Sequence, residues 1–307
     1  MRRFHRPIFG LAAFLVAASA GAQEGVAQRA TPAPYSLPWL LRSAVASSAV
    51  RVDRTEAFYV DPATGASGRS HLTGLAITYK ASPHWVPVFR VIHADNSAPR
   101  GGRDPSGQGF SNPLLGLNYV HPLGTDWRWT GFLASTIPIG SGGGSSPEAG
   151  AAAAIAASIP ARSSMDNALF AVNYHALIGG LGVARVRPQL TLQAEATVFQ
   201  LTRVRGPQSQ DRRRTNFTAG IHAGHFFSPR VSLGGELRFQ RWLSNALPVR
   251  RDPSARQQLT LAVGPRFHLK LPRNRWLRPG VSYTRALDDP MHERSYDIVQ
   301  IDVPFAF

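Results

Sequence analysis

The chain lacks cysteine altogether, holds three methionines, and draws its basic charge from arginine: Lys80 and Lys270 are its only lysines. The absent thiols exclude a disulfide framework and thiolate zinc sites. Apolar runs of about 20 residues are also missing, which excludes a polytopic helical membrane protein. Acidic residues are scarce, 18 against 34 Lys+Arg, so the formal charge is +16. That excess marks a nucleic-acid partner only where it gathers on one surface. Here the arginines are scattered, with no helix-turn-helix, zinc-finger or RNP-like pattern, and no nucleic acid is expected. Enzyme signatures are thin. No serine sits in G-x-S-x-G, and Gly140–Gly144 lacks the lysine of a phosphate loop. His222 and His225 lie three apart on an alternating segment and so face opposite ways. Asp288, Asp289, His292 and Glu293 read as solvated loop polarity rather than an acid–base or cation site. No cofactor, metal or catalytic residue is expected.

What is present begins with an address. MRRFHRP is basic, residues 8–20 are apolar but too short to span a bilayer, and Ala20-Gly21-Ala22 fits a small-x-small cleavage site. These predict a signal peptide over 1–22, cut before Gln23, and Sec-type export. Loss of Arg2, Arg3 and Arg6 takes the charge from +16 to +13.

Beyond it the dominant pattern is alternation. Val231, Leu233, Gly235, Leu237 and Phe239 share one face; Ser232, Gly234, Glu236, Arg238 and Gln240 share the other. Leu259, Leu261, Val263, Pro265, Phe267 and Leu269 repeat this against Gln258, Thr260, Arg266, His268 and Lys270. Successive side chains of a strand point to opposite faces, so these are strands. Strands are predicted near 44–60, 71–81, 85–95, 111–121, 127–139, 167–178, 187–204, 215–227, 231–243, 258–270, 276–287 and 296–307, with a bulge near Phe199. Short connections, among them 179–186, follow the even strands, and long ones follow the odd strands. A meander with such segregated loops is an all-β, antiparallel, up-and-down transmembrane barrel of about 12 strands, with short periplasmic turns and long extracellular loops. Residues 23–42 are read as a periplasmic tail and 43–307 as the barrel. Trp85, Trp127, Trp129, Trp242 and Trp276, with Tyr59, are read as membrane girdles.

The chain ends IVQIDVPFAF. Val299, Ile301, Val303, Phe305 and Phe307 alternate with polar or small residues, and the last residue is aromatic. Here the sequence resembles a Gram-negative outer-membrane β-barrel protein. The resemblance implies that Val303, Phe305 and Phe307 form the signal read by the barrel assembly machinery. VRVDRTEAFYVDP, FSNPLLGLNYVHPL and STIPIGSGGG are further similar to outer-membrane transporters of the phenol meta-pathway type, distant relatives of fatty-acid channels. That implies uptake of small, often hydrophobic solutes.

If the apolar face meets lipid, the other face lines the bore: Gln193, Glu195, Glu236, Arg238, Gln240, Arg266, His268, Arg278, Gln300 and Asp302. Two readings stand open, a charged constriction that selects solutes and a salt-bridged plug. In the loop 140–166, Ser146-Pro147-Glu148 starts a small-residue helix ending at Pro160. It either folds into the mouth or hangs outside. Arg100, Arg103, Arg205, Arg212, Arg213, Arg214, Arg250, Arg251 and Arg256 populate the long loops, where arginine suits lipopolysaccharide phosphates. The expected function is an outer-membrane channel for small solutes, hydrophobic or aromatic ones among them. The alternatives are a structural or adhesion barrel and a barrel hydrolase. Expected partners are outer-membrane lipid, lipopolysaccharide, the assembly machinery and the solute.

Overall fold

The computed structural model describes residues 34–101 and 105–307. The expected signal peptide, the first part of the tail and Arg103 lie outside them. The described chain builds one closed antiparallel sheet. Its staves are β1 (Ala49–Val60), β2 (Ser67–Thr78), β3 (Trp85–Ser97), β4 (Gly107–Phe110 and Leu114–Leu123), β5 (Trp127–Thr136) and β6 (Tyr174–Val186). They continue as β7 (Leu190–Arg203), β8 (Arg213–Ser228), β9 (Val231–Trp242), β10 (Gln257–Phe267 and Leu269–Leu271), β11 (Arg275–Leu277 and Gly280–Ala286) and β12 (Asp297–Ala306). Each pairs with its chain neighbour, and β12 returns to β1 from Ala49↔Ala306 to Phe58↔Asp297. The result is the closed 12-strand barrel that the alternation predicts. Closure leaves no unpaired edge, as a chain with strands in hydrocarbon requires.

Alternation fixes which way each residue faces. On β9, Ser232, Glu236, Arg238 and Gln240 are buried while Leu233 and Leu237 are exposed on the outer wall. On β12, Gln300 and Asp302 are buried while Ile301 and Val303 are exposed.

The sixth strand departs from expectation. Residues 179–186, read as a turn because of Gly179, Gly180 and Gly182, continue β6, and the turn is 187–189, where Pro188 ends the ladder. The inward glycines are there for close approach. A Cβ on Gly180 would lie 2.7 Å from Thr197 Oγ1, and one on Gly182 would lie 2.7 Å from Thr130 Oγ1. Residues 167–170, read as strand, form a short helix. The bulge expected near Phe199 is absent as well. β7 pairs both neighbours in unbroken register, and Phe199 and Leu201 simply face inward. The register irregularity sits at Val231/Ser232 instead.

Candidate functional site: the filled bore

Two insertions occupy the barrel interior. The first comes from the short-turn end. Residues 34–42, expected in a tail below the barrel, pack against its inward faces. The Tyr35 hydroxyl donates to Gln193 Oε1 at 2.5 Å, and the Ser36 N–H donates to Thr191 Oγ1 at 3.1 Å. Glu236 accepts the Trp39 N–H and, at 3.2 Å, the Leu40 N–H. Glu195 accepts the Arg42 N–H at 2.9 Å and pairs with its guanidinium at 3.1 Å. Alternation alone cannot reveal this, because the segment belongs to no strand. Its aromatic and apolar residues, Tyr35, Trp39 and Leu41, all 3 % exposed or less, were the available signal.

The inward charges are mostly matched to one another. Arg238 Nε donates to Glu236 at 2.8 Å. Arg266 meets Asp302 with two nitrogens, at 2.9 and 3.0 Å, and donates its Nε–H to the Leu37 carbonyl. Arg51 pairs with the same Asp302 at 2.7 Å. His268 Nε2 lies 2.9 Å from Ser232 Oγ. Arg278 stands at the rim over the Trp276 ring, 5.3 Å from its centroid. Gln240 sits higher, next to Trp242 in the mouth.

The second insertion is the long loop after β5, which folds inward. Its helix α1 (Ala149–Ala161) is built from small helix-favouring residues. Glu148 caps it, two residues after the serine expected there, accepting the Gly150 and Ala151 N–H groups at 2.8 and 2.6 Å. The turn after α1 is tied to the wall by ions. Arg162 reaches Asp53 on β1 at 2.5 Å and Asp166 at 2.9 Å. Arg90 on β3 holds Asp166 through two bonds of 2.7 Å. Burial pushes the Asp166 carboxyl up, but Arg90 and Arg162 more than reverse this and hold it below the usual carboxylate range. The break in β4 serves this docking: Asn112 donates its N–H to the Leu169 carbonyl and its side-chain amide to the Ala171 carbonyl.

Between the insertions and the wall lie two cavities. The mouth cavity, about 170 Å³, is lined by Ile159, Pro160, Trp242, Met291 and Tyr296 with the amides Asn167 and Gln258. The inner cavity, about 90 Å³, has apolar walls, including Leu114, Phe132, Ile178 and Phe199, with Arg42, Arg90, Asp166 and Glu195 among them.

The outer wall carries three of the five expected girdle tryptophans. Trp85, Trp127 and Trp129 are exposed, and Trp85 and Trp129 pack on Tyr119 at 4.6 and 5.2 Å. The other two are corrections. Trp242 is buried in the mouth on the inward parity of β9. Trp276 pairs with inward Ala306. Tyr59 likewise faces inward, stacked on Tyr296 at 5.1 Å. Proximity to a strand end does not specify a face; parity does.

Of the loop arginines, Arg214 and Arg250 are bound to Asp211 at 3.2 and 2.8 Å, and Arg205 donates to the Val172 carbonyl. Arg100, Arg212, Arg213 and Arg251 are exposed. Val303 and Phe307 are exposed on the outer wall, and the Phe305 and Phe307 rings stack at 5.9 Å.

Signs of catalysis are few. His292 and Asp289 lie 3.9 Å apart and are largely exposed, while Asp288 is used by the Leu259 N–H. Ser135 Oγ lies 2.7 Å from His175 Nε2 on the outer wall, but among the described residues no carboxylate or amide orients that histidine. Among the described residues no His/Cys/Asp/Glu group is arranged to hold a metal.

No protein-family model and no curated protein matches the chain. Solved structures do. An outer membrane channel from Pseudomonas putida F1 is 10% identical, covers 91% of this chain and 100% of its own, and superposes with a TM-score of 0.55. The KdgM porin in complex with disordered oligogalacturonate is 11% identical, covering 84% of this chain and 99% of its own, with a TM-score of 0.45. The Pseudomonas putida toluene transporter TodX is 11% identical, covering 85% and 88%, with a TM-score of 0.38. Identity this low speaks to architecture alone, and the architecture this chain shares with that outer membrane channel is a closed antiparallel β-barrel.

Proposed function

We propose that the chain is an outer-membrane channel for small solutes, with hydrophobic and aromatic molecules in its range. One observation carries the reading: two apolar-walled cavities lie in one bore, the outer with Trp242 and Tyr296, the inner with Phe132 and Phe199. A solute leaving water for such walls gains about 25 cal/mol per Å² of apolar surface buried. Paired inward charges, Glu195, Glu236, Arg238, Arg266 and Asp302 among them, seat residues 34–42 below the inner cavity. Arg278 and His268 stand at the lower rim. On this reading the chain is exported, its terminal Val303, Phe305 and Phe307 are read by the assembly machinery, and exposed loop arginines such as Arg212 and Arg213 contact lipopolysaccharide phosphates.

The test is swelling of liposomes loaded with the purified chain, against a panel of sugars, amino acids and aromatic acids. Faster entry of at least one class than into empty liposomes is expected. Equal rates for all would end the channel reading. That outcome would favour a structural barrel, the alternative supported by the ion pairs among the inward charges.

A further inference from the structure

The two cavities share one wall. Residues 159–169 run between them. Ile159, Pro160, Ser164 and Asn167 face the mouth cavity, while Met165, Asp166, Ala168 and Leu169 face the inner one. A segment one chain thick therefore divides the bore.

Unlike the exposed turn at Arg273 and Asn274, which also has two consecutive left-handed residues, this segment is buried and held by ion pairs. Ser163 and Ser164 are consecutive non-glycine residues in the left-handed region, with φ 53° and 54°. Helix ends commonly pass through that region at a glycine, which has no Cβ penalty there. Two serines in a row store strain, which persists only where the surroundings over-determine the backbone. The surroundings here are ionic and lie on both sides of the pair. Arg162 is fastened to Asp53 and Asp166 is fastened to Arg90. Between them Ser163 Oγ accepts from Arg238 at 3.3 Å. The fastenings reach β1, β3 and β9, three separate parts of the wall.

We propose that the turn over residues 162–169 is a spring-loaded partition, and that its release joins the mouth and inner cavities into one compartment. The inference rests on the channel reading above and adds where solute waits and what admits it. Strain in Ser163 and Ser164 favours release; the Arg162 and Asp166 ion pairs oppose it. The two sets of substitutions therefore act in opposite directions, which plain loosening of a loop would not produce. Glycine at 164, whose side chain makes none of these bonds, removes strain without removing a fastening and tightens the closed state. Arg162→Gln or Asp166→Asn removes a fastening and loosens it.

The chain has no native cysteine, so single cysteines report access cleanly. Ala168→Cys places a thiol on the inner side and Ala255→Cys places one in the mouth. A membrane-impermeant thiol reagent is added to intact cells, and folding of each variant is verified by compact migration before boiling. Labelling at 255 should be fast in every background. Labelling at 168 should be slow in the parent, faster by about tenfold or more with Arg162→Gln or Asp166→Asn, and slower by about fivefold with Ser164→Gly. Equal labelling at 168 and 255 in the parent would overturn the partition, as would a shift in the same direction for both sets. Because access of the reagent is read directly, a chain that labels as expected but fails in liposome swelling would keep its partition and lose its channel role.

Discussion

Arg90 and Asp166 meet face to face, Nη1 to Oδ1 and Nη2 to Oδ2, both at 2.7 Å. The arginine stands on β3 and the aspartate on the long loop after β5, 76 residues further along the chain. This fork is geometrically matched and shielded from water, which distinguishes it from surface pairs.

The Asp166 carboxyl is held below the ordinary aspartate value of 3.8, mainly because Arg90 and Arg162 outweigh its burial. A depressed carboxylate stabilises above its unfolded value, and that contribution is lost as pH falls through the folded one. The loop should therefore stay docked from neutral pH down to about 4 and be released below the ordinary value of 3.8. Pepsin cleavage within residues 140–166, followed as the pH is lowered from 5 to 2, should begin only in that acid window. Onset above pH 5 would contradict the assignment.

Glu236 is fully buried between Arg238 and the backbone of Trp39 and Leu40. Arg238→Met leaves an unpaired buried carboxylate and should destabilise by about 3–5 kcal/mol. Glu56, on the outer wall between Arg54 and Arg69, is only a partly screened partner. Glu56→Gln should cost about 1 kcal/mol or less. Urea denaturation of the two variants in lipid should show this ranking; similar losses would argue against the burial difference.

Two glycines separate wall from plug. A Cβ at Gly224 would collide with the Ser36 side chain, whereas one at Gly264 would collide with the β11 backbone at Val281. Gly224→Val should expel residues 34–42 while the barrel folds, raising single-channel conductance several-fold. Gly264→Ala should instead lower the yield of folded barrel. Compact gel migration and planar-bilayer recordings distinguish the two.

Deleting Phe307 removes an exposed ring stacked on Phe305. Folded barrel in outer-membrane fractions should fall by several-fold, while refolding in detergent should be little changed. Equal loss in both settings would assign the residue to stability rather than to assembly.

Alternation in segments such as Val231–Phe239 determined the strands, their faces and the closed antiparallel order, because a period of two maps directly onto opposite sides of a sheet. The same arithmetic placed Glu236, Arg238, Arg266 and Asp302 on one side of the wall. It misjudged Trp242 and Trp276, where position at a strand end was weighed above parity. It also read Gly179–Gly182 as a turn, since a glycine needed for close approach looks the same in sequence as one needed for a bend. What filled the bore was decided by tertiary structure alone. Residues 34–42 and the turn after α1 carry no periodicity, and their partners lie up to 261 positions away, as Gln300 does from Trp39. Contacts across a closed barrel join residues by the curvature of the wall rather than by spacing along the chain. Only the folded structure therefore shows which carboxylate meets which arginine, and that two cavities share one strained turn.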